Sequence, residues 1–207
     1  MNMKTFLLVV SAGFLGWSVS HANVTSIPTW NNSGGIYCNA SLDTADQTAT
    51  VTGNQWSGSG AMGMTILTDT ATDPILTVND SINNTSSFAW TEYIVSVAIN
   101  QSFSINSAGV IAPSGWTANI TAPSGPDIHG NYIGTIDYIG GAPVAVNGLF
   151  DFGYVIQFSG LTQYSLTESV TAVPEPGALT WVMAGGLLVG GWTVASRRQA
   201  KQPAMRT

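Results

Sequence analysis

Every lysine and arginine in this 207-residue chain lies at one of its two ends. The five cations are Lys4, Arg197, Arg198, Lys201 and Arg206, so residues 5–196 hold none. A fold built between those limits has no Lys/Arg–carboxylate ion pair available and no guanidinium to grip a phosphate. Charged residues make up only 8% of the chain, against roughly 25% in ordinary globular proteins, which argues against a standard cytosolic enzyme. Charge-driven disorder is also a poor fit, because seven Trp, seven Phe and six Tyr can fill a core. Nucleic-acid binding requires a basic footprint, and the middle of the chain has none.

The cations that do exist mark sorting segments. Residues 1–22 have the layout of a secretory signal peptide. Lys4 gives the positive start, and Phe6-Leu7-Leu8-Val9-Val10 through Phe14-Leu15-Gly16-Trp17 gives a short apolar run. Ser20-His21-Ala22 then supplies the small residues that signal peptidase reads. The expected cut falls between Ala22 and Asn23. An uncleaved anchor is the competing reading, and the short run and small-residue flank weigh against it. Cys38 lies too far along for lipoprotein processing.

Residues 178–195 are 18 uncharged residues, about 27 Å long as a helix against a hydrocarbon core of about 30 Å. Trp181 and Trp192 sit near the two interfaces, and Arg197, Arg198 and Lys201 follow at once as a basic stop-transfer tail. A single transmembrane helix is expected, with the tail cytoplasmic and residues 23–173 outside. Gly186-x-x-x-Gly190 matches a helix-dimer spacing, but in a chain with 23 Gly it is better ascribed to composition. Ahead of the helix, Val173-Pro174-Glu175-Pro176-Gly177 is expected to be a stiff, extended, solvent-facing strip, because two prolines fix φ and remove two donors.

Pro174-Glu175-Pro176, the adjoining Gly-rich apolar segment and Arg197-Arg198, in that order over about the last 30 residues, closely resemble the PEP-CTERM sorting signal. The resemblance implies that Pro174, Glu175 and Pro176 are read by an exosortase, an integral-membrane enzyme that cleaves or transfers its substrate near the motif. It implies a Gram-negative host that makes extracellular polysaccharide, and a single-pass inner-membrane intermediate that ends at the cell surface or secreted. The stretch Thr77–Tyr93 also looks like ectodomain segments of other PEP-CTERM proteins, in which a Trp-Thr-acidic-Tyr run opens a central strand. On physical grounds Trp90 and Tyr93 would anchor a core layer, each with a polar end that needs a partner.

Between the two addresses, residues 23–173 are enough for one domain with a sizeable core. Period-2 alternation dominates. Tyr93, Val95, Val97 and Ile99 share one face, as do Trp116, Ala118 and Ile120. The sets Phe152–Phe158, Tyr164–Val170 and Met62–Ile66 alternate in the same way. Gly, Pro, Asn and Ser clusters punctuate these runs, and Ala-Pro-Ser-Gly at 112–115 and 122–125 brackets one of them. No amphipathic helix stands out. The expectation is all-β: eight to ten strands in an antiparallel β-sandwich, jelly-roll or Ig-like, with a barrel as the alternative. The domain plan is therefore 1–22 signal peptide, 23–173 ectodomain and 174–207 sorting segment, divided into 174–177, 178–195 and 196–207.

No catalytic residues emerge. His129 is the single His after residue 22 and Cys38 the single Cys. No Ser occupies a G-x-S-x-G elbow, and soft ligands are too few for zinc. His129 reads as an exposed loop residue and Cys38 as a buried small hydrophobe. No cofactor is expected, although Ca²⁺ on the carboxylates of loop-like stretches (Asp43, Asp46, Asp69, Asp73, Asp80, Asp127, Asp137 and Asp151) is the remaining option, with Asp127 and Asp137 as guesses. Turns recruit Asp for backbone reasons of their own.

Exposed rings could stack on sugars. Trp56, in a loop-like Asn54–Gly60, and Trp30 are the candidates, with core filling as the competing role. The expected function is a non-enzymatic surface or matrix protein, structural or adhesive in exopolysaccharide or biofilm material. Its partners would be signal peptidase, exosortase, the membrane before processing and extracellular polysaccharide, with no nucleic acid. The alternative is a carbohydrate-binding module with the same address. Residues 23–173 hold ten acids and no Lys or Arg, a side-chain charge of −10 with His neutral, and those carboxylates are expected to lie apart.

Overall fold

The computed structural model describes residues 21–175. The expected transmembrane stretch 178–195, the basic tail and most of the leader lie outside them. Nine strands run in order: β1 (Val24–Asp43), β2 (Thr48–Thr68), β3 (Ile75–Asn84), β4 (Trp90–Ile99), β5 (Phe103–Ile111), β6 (Thr117–Ser124), β7 (Tyr132–Val144), β8 (Leu149–Phe158) and β9 (Gln163–Pro174). There is no helix among the described residues, and the strand count lies within the expected range.

The strands form one mixed sheet, ordered β5-β8-β3-β2-β9-β4-β7-β6, with β1 paired to β2. β2 organises it. Thr48–Gln55 pairs in parallel with Thr77–Asn84 of β3, and Ser59–Leu67 pairs antiparallel with β9. The parallel pair departs from the all-antiparallel expectation. Chain length explains why β2 must double back. A straight 21-residue strand would separate its ends by about 66 Å. The chain from Thr68 to Thr77, which lies beside Thr48, reaches only about 32 Å.

The bend falls where the β1–β2 register slips between Gly34 and Ile36. Gly34 there has φ +70°, and a Cβ on Gly60 would run into Ile36. Small residues on both strands let the two backbones close at the kink.

Doubling β2 lays β3, β8 and β5 over β9, β4, β7 and β6. Phe150 of β8 then packs on Tyr93 of β4 (ring centroids 4.8 Å), Tyr138 of β7 (5.8 Å) and Trp116 beside β6 (5.0 Å). At the ends of the strand order, Ile105 of β5 and Pro123 of β6 both fill the space over Gly134 of β7. The sheet is therefore nearly closed into a barrel, with no ladder joining β5 to β6.

Trp90 opens β4, a central strand between β9 and β7. The Trp90 and Tyr93 rings are fully buried, and each polar end is satisfied. Trp90 Nε1 donates to Ser86 Oγ (3.1 Å), and Tyr93 Oη donates to Gln55 Oε1 (2.7 Å). Burial of side chains this size is worth about 1.5–3 kcal/mol each.

Candidate functional site

Strand alternation turns Tyr37 of β1, Asn54 and Trp56 of β2, Asn83 of β3 and Leu149 of β8 away from the core. Register places Tyr37 opposite Asn54, Asn54 opposite Asn83, and Asn83 opposite Leu149, giving one row across four strands. Asn83 Nδ2 donates to Asn54 Oδ1 (3.2 Å) at its centre. The next row contains Thr52, Ser81 and Asp151, with Ser81 Oγ donating to Asp151 Oδ1 (2.6 Å). Beside it a shallow pocket of about 290 Å³ opens between Asn79, Ser81, Ile111 and Asp151. Tyr37 is 55% exposed and Trp56 51%. The result is a hydroxyl- and amide-lined plate with two rings at one end.

The residues singled out from sequence are not brought together. Trp56 is exposed, but it lies within β2 and not in a loop, because Asn54–Gly60 forms the bent part of that strand. Trp30 is half-buried against the core, and its Nε1 donates to Cys38 O at 2.7 Å. Pro174 is the last residue of β9, opposite Trp90, and its carbonyl accepts from Thr91 Oγ1 (3.3 Å). The strip expected to be solvent-facing therefore starts inside the sheet. Glu175 is exposed. Pro176, Arg197, Arg198 and Lys201 lie outside the described residues.

At the other end Ala22 is buried, and its N–H donates to Thr72 O at 2.7 Å. Asn23 is exposed.

Asp127 and Asp137 belong to separate elements. Asp127 Oδ1 accepts the N–H groups of Asn131 (2.8 Å) and His129 (2.9 Å), which hold its carboxyl below the usual range. This is the backbone role that turns assign to Asp. Asp137 lies on β7 near Glu92, whose carboxyl is raised by partial desolvation and by Asp137. No group of three or more His, Cys, Asp or Glu suited to a metal ion occurs among the described residues. His129 is exposed and Cys38 fully buried.

The expectation that carboxylates lie apart is overturned in the core. Asp80 of β3 and Glu168 of β9 are both buried, although Asp80 reads as a loop residue from sequence. Glu168 Oε2 accepts from Tyr154 Oη (2.8 Å), while Glu168 Oε1 and both Asp80 oxygens have no hydrogen-bond partner. Burial pushes Glu168 up to about 7, opposed by the Tyr154 bond. It raises Asp80 as well, with Glu168 adding to the rise. Cys38, Tyr93, Tyr138 and Tyr154 feel the same two acids, and burial is again the leading cause of their raised values.

A cation-free core leaves protonation as the internal route to neutrality, because an isolated buried carboxylate is costly. The signal was present in sequence: Asp80 is in phase with Val78 and Ile82, and Glu168 with Leu166 and Val170.

No family model, curated protein or solved structure matches this chain.

Proposed function

We propose that this chain is an exported, non-enzymatic protein of the cell surface or extracellular matrix, sorted and processed by an exosortase. Its role is structural or adhesive in exopolysaccharide or biofilm material. The observation that carries this reading is the join at Pro174. The last strand ends on the first residue of the Pro-Glu-Pro motif, and Glu175 stands exposed immediately beyond.

A cut before Pro174 would remove a residue bonded to Thr91, so processing is assigned to a bond beyond it. The test compares the full chain in hosts with and without active exosortase. Loss of residues 178–207 only where the enzyme is active supports the reading, and blockage by Pro174→Ala with Glu175→Ala strengthens it. Intact protein persisting beside active exosortase overturns it.

The packing of β8 rings on those of β4 and β7 supports reading the folded sheet as sandwich-like, in the jelly-roll or Ig-like manner.

A second reading, carbohydrate binding, is favoured by the exposure of Trp56 beside Tyr37 and the Asn54–Asn83 amides. Flat rings flanked by amides suit sugar faces and hydroxyls. An anionic domain without Lys or Arg suits a neutral glycan better than an acidic one. Trp56→Ala and Tyr37→Ala are each expected to weaken retention on a neutral polysaccharide. Unchanged retention of both counts against the reading. Trp30→Ala is expected to cost stability instead, because its indole is bonded inside the fold.

A further inference from the structure

The chain enters β1 through three hydrogen bonds between Asn23 and one acid, Asp69. The backbone N of Asn23 donates to Asp69 Oδ1 (2.8 Å), and Asn23 Nδ2 donates to Asp69 Oδ2 (2.9 Å). Asp69 N returns a bond to Asn23 O (3.0 Å). The carboxylate is exposed, and the Asn23 bonds hold it below the usual carboxylate range.

Hydrolysis of the Ala22–Asn23 bond adds one water. Ala22 leaves as a carboxylate, and the nitrogen of Asn23 becomes an amine that takes up a proton. A neutral N–H facing Asp69 is thereby replaced by an ammonium on the same atom.

We propose that Asp69 is the built receptor for the α-ammonium of Asn23 created by leader removal. This inference rests on the export reading. Residues 23–173 contain no Lys or Arg, so this ammonium is the domain's fixed cation apart from a protonated His129. Charge-assisted bonds are about twice as strong as neutral ones, so cleavage strengthens a contact that the uncut chain already makes.

The 69–74 loop also carries Asp73, whose backbone carbonyl lies 3.0 Å from His21 Nδ1. From the β1–β2 turn comes Gln47, a neutral side chain that receives Val24 N. Ala22 is 4% exposed and bonded to Thr72. The scissile bond thus joins a buried Ala22 to an exposed Asn23.

The test uses the exported protein recovered from cells making the full chain. N-terminal sequencing is expected to begin at Asn23. The α-amine is then titrated by the pH dependence of its acylation, read on the N-terminal peptide by mass spectrometry. The native protein is expected to show an apparent pKa above the ordinary ~7.7–8.0. Asp69→Asn should lower it by about half to one unit, and Asp69→Glu should largely restore it. Native and urea-unfolded wild type provide the same comparison if Asp69→Asn does not fold.

A retained leader overturns the export reading and this inference with it. A start elsewhere overturns the assigned bond. A start at Asn23 with titration insensitive to Asp69 and to unfolding overturns the receptor alone.

Discussion

Tyr154 Oη donates to Glu168 Oε2 at 2.8 Å, joining β8 to β9 through the buried core. The bond satisfies one oxygen of an acid that has no cation to pair with, in a domain where Asp80 adds a second buried carboxyl. The folded state consequently holds protons that the unfolded chain releases.

Thermal stability should therefore follow pH in an unusual direction. Glu168 moves from 4.5 to about 7, and Asp80 is raised too. A raised folded value gives stability that is complete below the unfolded pKa and lost as pH rises through the folded one. Melting followed by circular dichroism is expected to give a higher Tm near pH 5 than near pH 8. Equal Tm at both would contradict protonated acids in the core.

Glu168→Gln should flatten that dependence. Its amide keeps an acceptor for Tyr154 and carries no charge. At pH 8 the variant is expected to exceed wild type by roughly 2–3 kcal/mol, the order set by 1.36 kcal/mol per pKa unit. At pH 5 the two should be close. Urea titrations at both pH values measure the difference, and a variant less stable at pH 8 would refute it.

Tyr93→Phe tests another inward-facing phenol. Removing its hydroxyl leaves Gln55 Oε1 buried without the 2.7 Å bond. A loss of about 1–3 kcal/mol is expected, with little change in the pH profile. A neutral outcome in urea unfolding would mean that Gln55 finds another donor.

Gly53→Ala should be costly. A Cβ there would strike Cys38 Sγ and the Tyr37 carbonyl on the paired strand. Overpacking of about 1–3 kcal/mol is expected. Adding Cys38→Ala should not restore stability, because the Tyr37 backbone clash remains. Full rescue by that second change would show that only the sulfur matters.

Cys38 should report unfolding. Burial, with Asp80 and Glu168 adding to it, pushes the thiol up to about 12, and the side chain is fully buried. Labelling by a thiol reagent at pH 8 is expected to track global unfolding in urea. Rapid labelling of the native protein would disprove this.

Much of the sheet is legible in the sequence, because alternation records which face of a strand meets the core. Tyr93–Ile99, Phe152–Phe158 and Tyr164–Val170 all keep their phase in the structure. Trp56 is harder to place. Gly and Ser around it look like a loop, yet they line a strand that must bend sharply. Asp80 and Glu168 obey the alternation, but their charge argues for solvent, and phase and charge point opposite ways. Burial wins because protonation removes the charge, whereas a strand cannot turn one side chain outward without losing its register.

The placement of Lys and Arg at the ends, the ten acids between them and the period-2 runs belong to the sequence alone. From them follow an all-β domain without Lys/Arg ion pairs and the expectation of sorting segments on either side. Only the tertiary structure decided that β2 doubles back and pairs with β3 in parallel, that Pro174 closes the last strand, and that Asn23 meets Asp69. The reason is range. Alternation and composition are properties of neighbouring residues. Each of those contacts joins positions dozens of residues apart, and chain length and packing select them together.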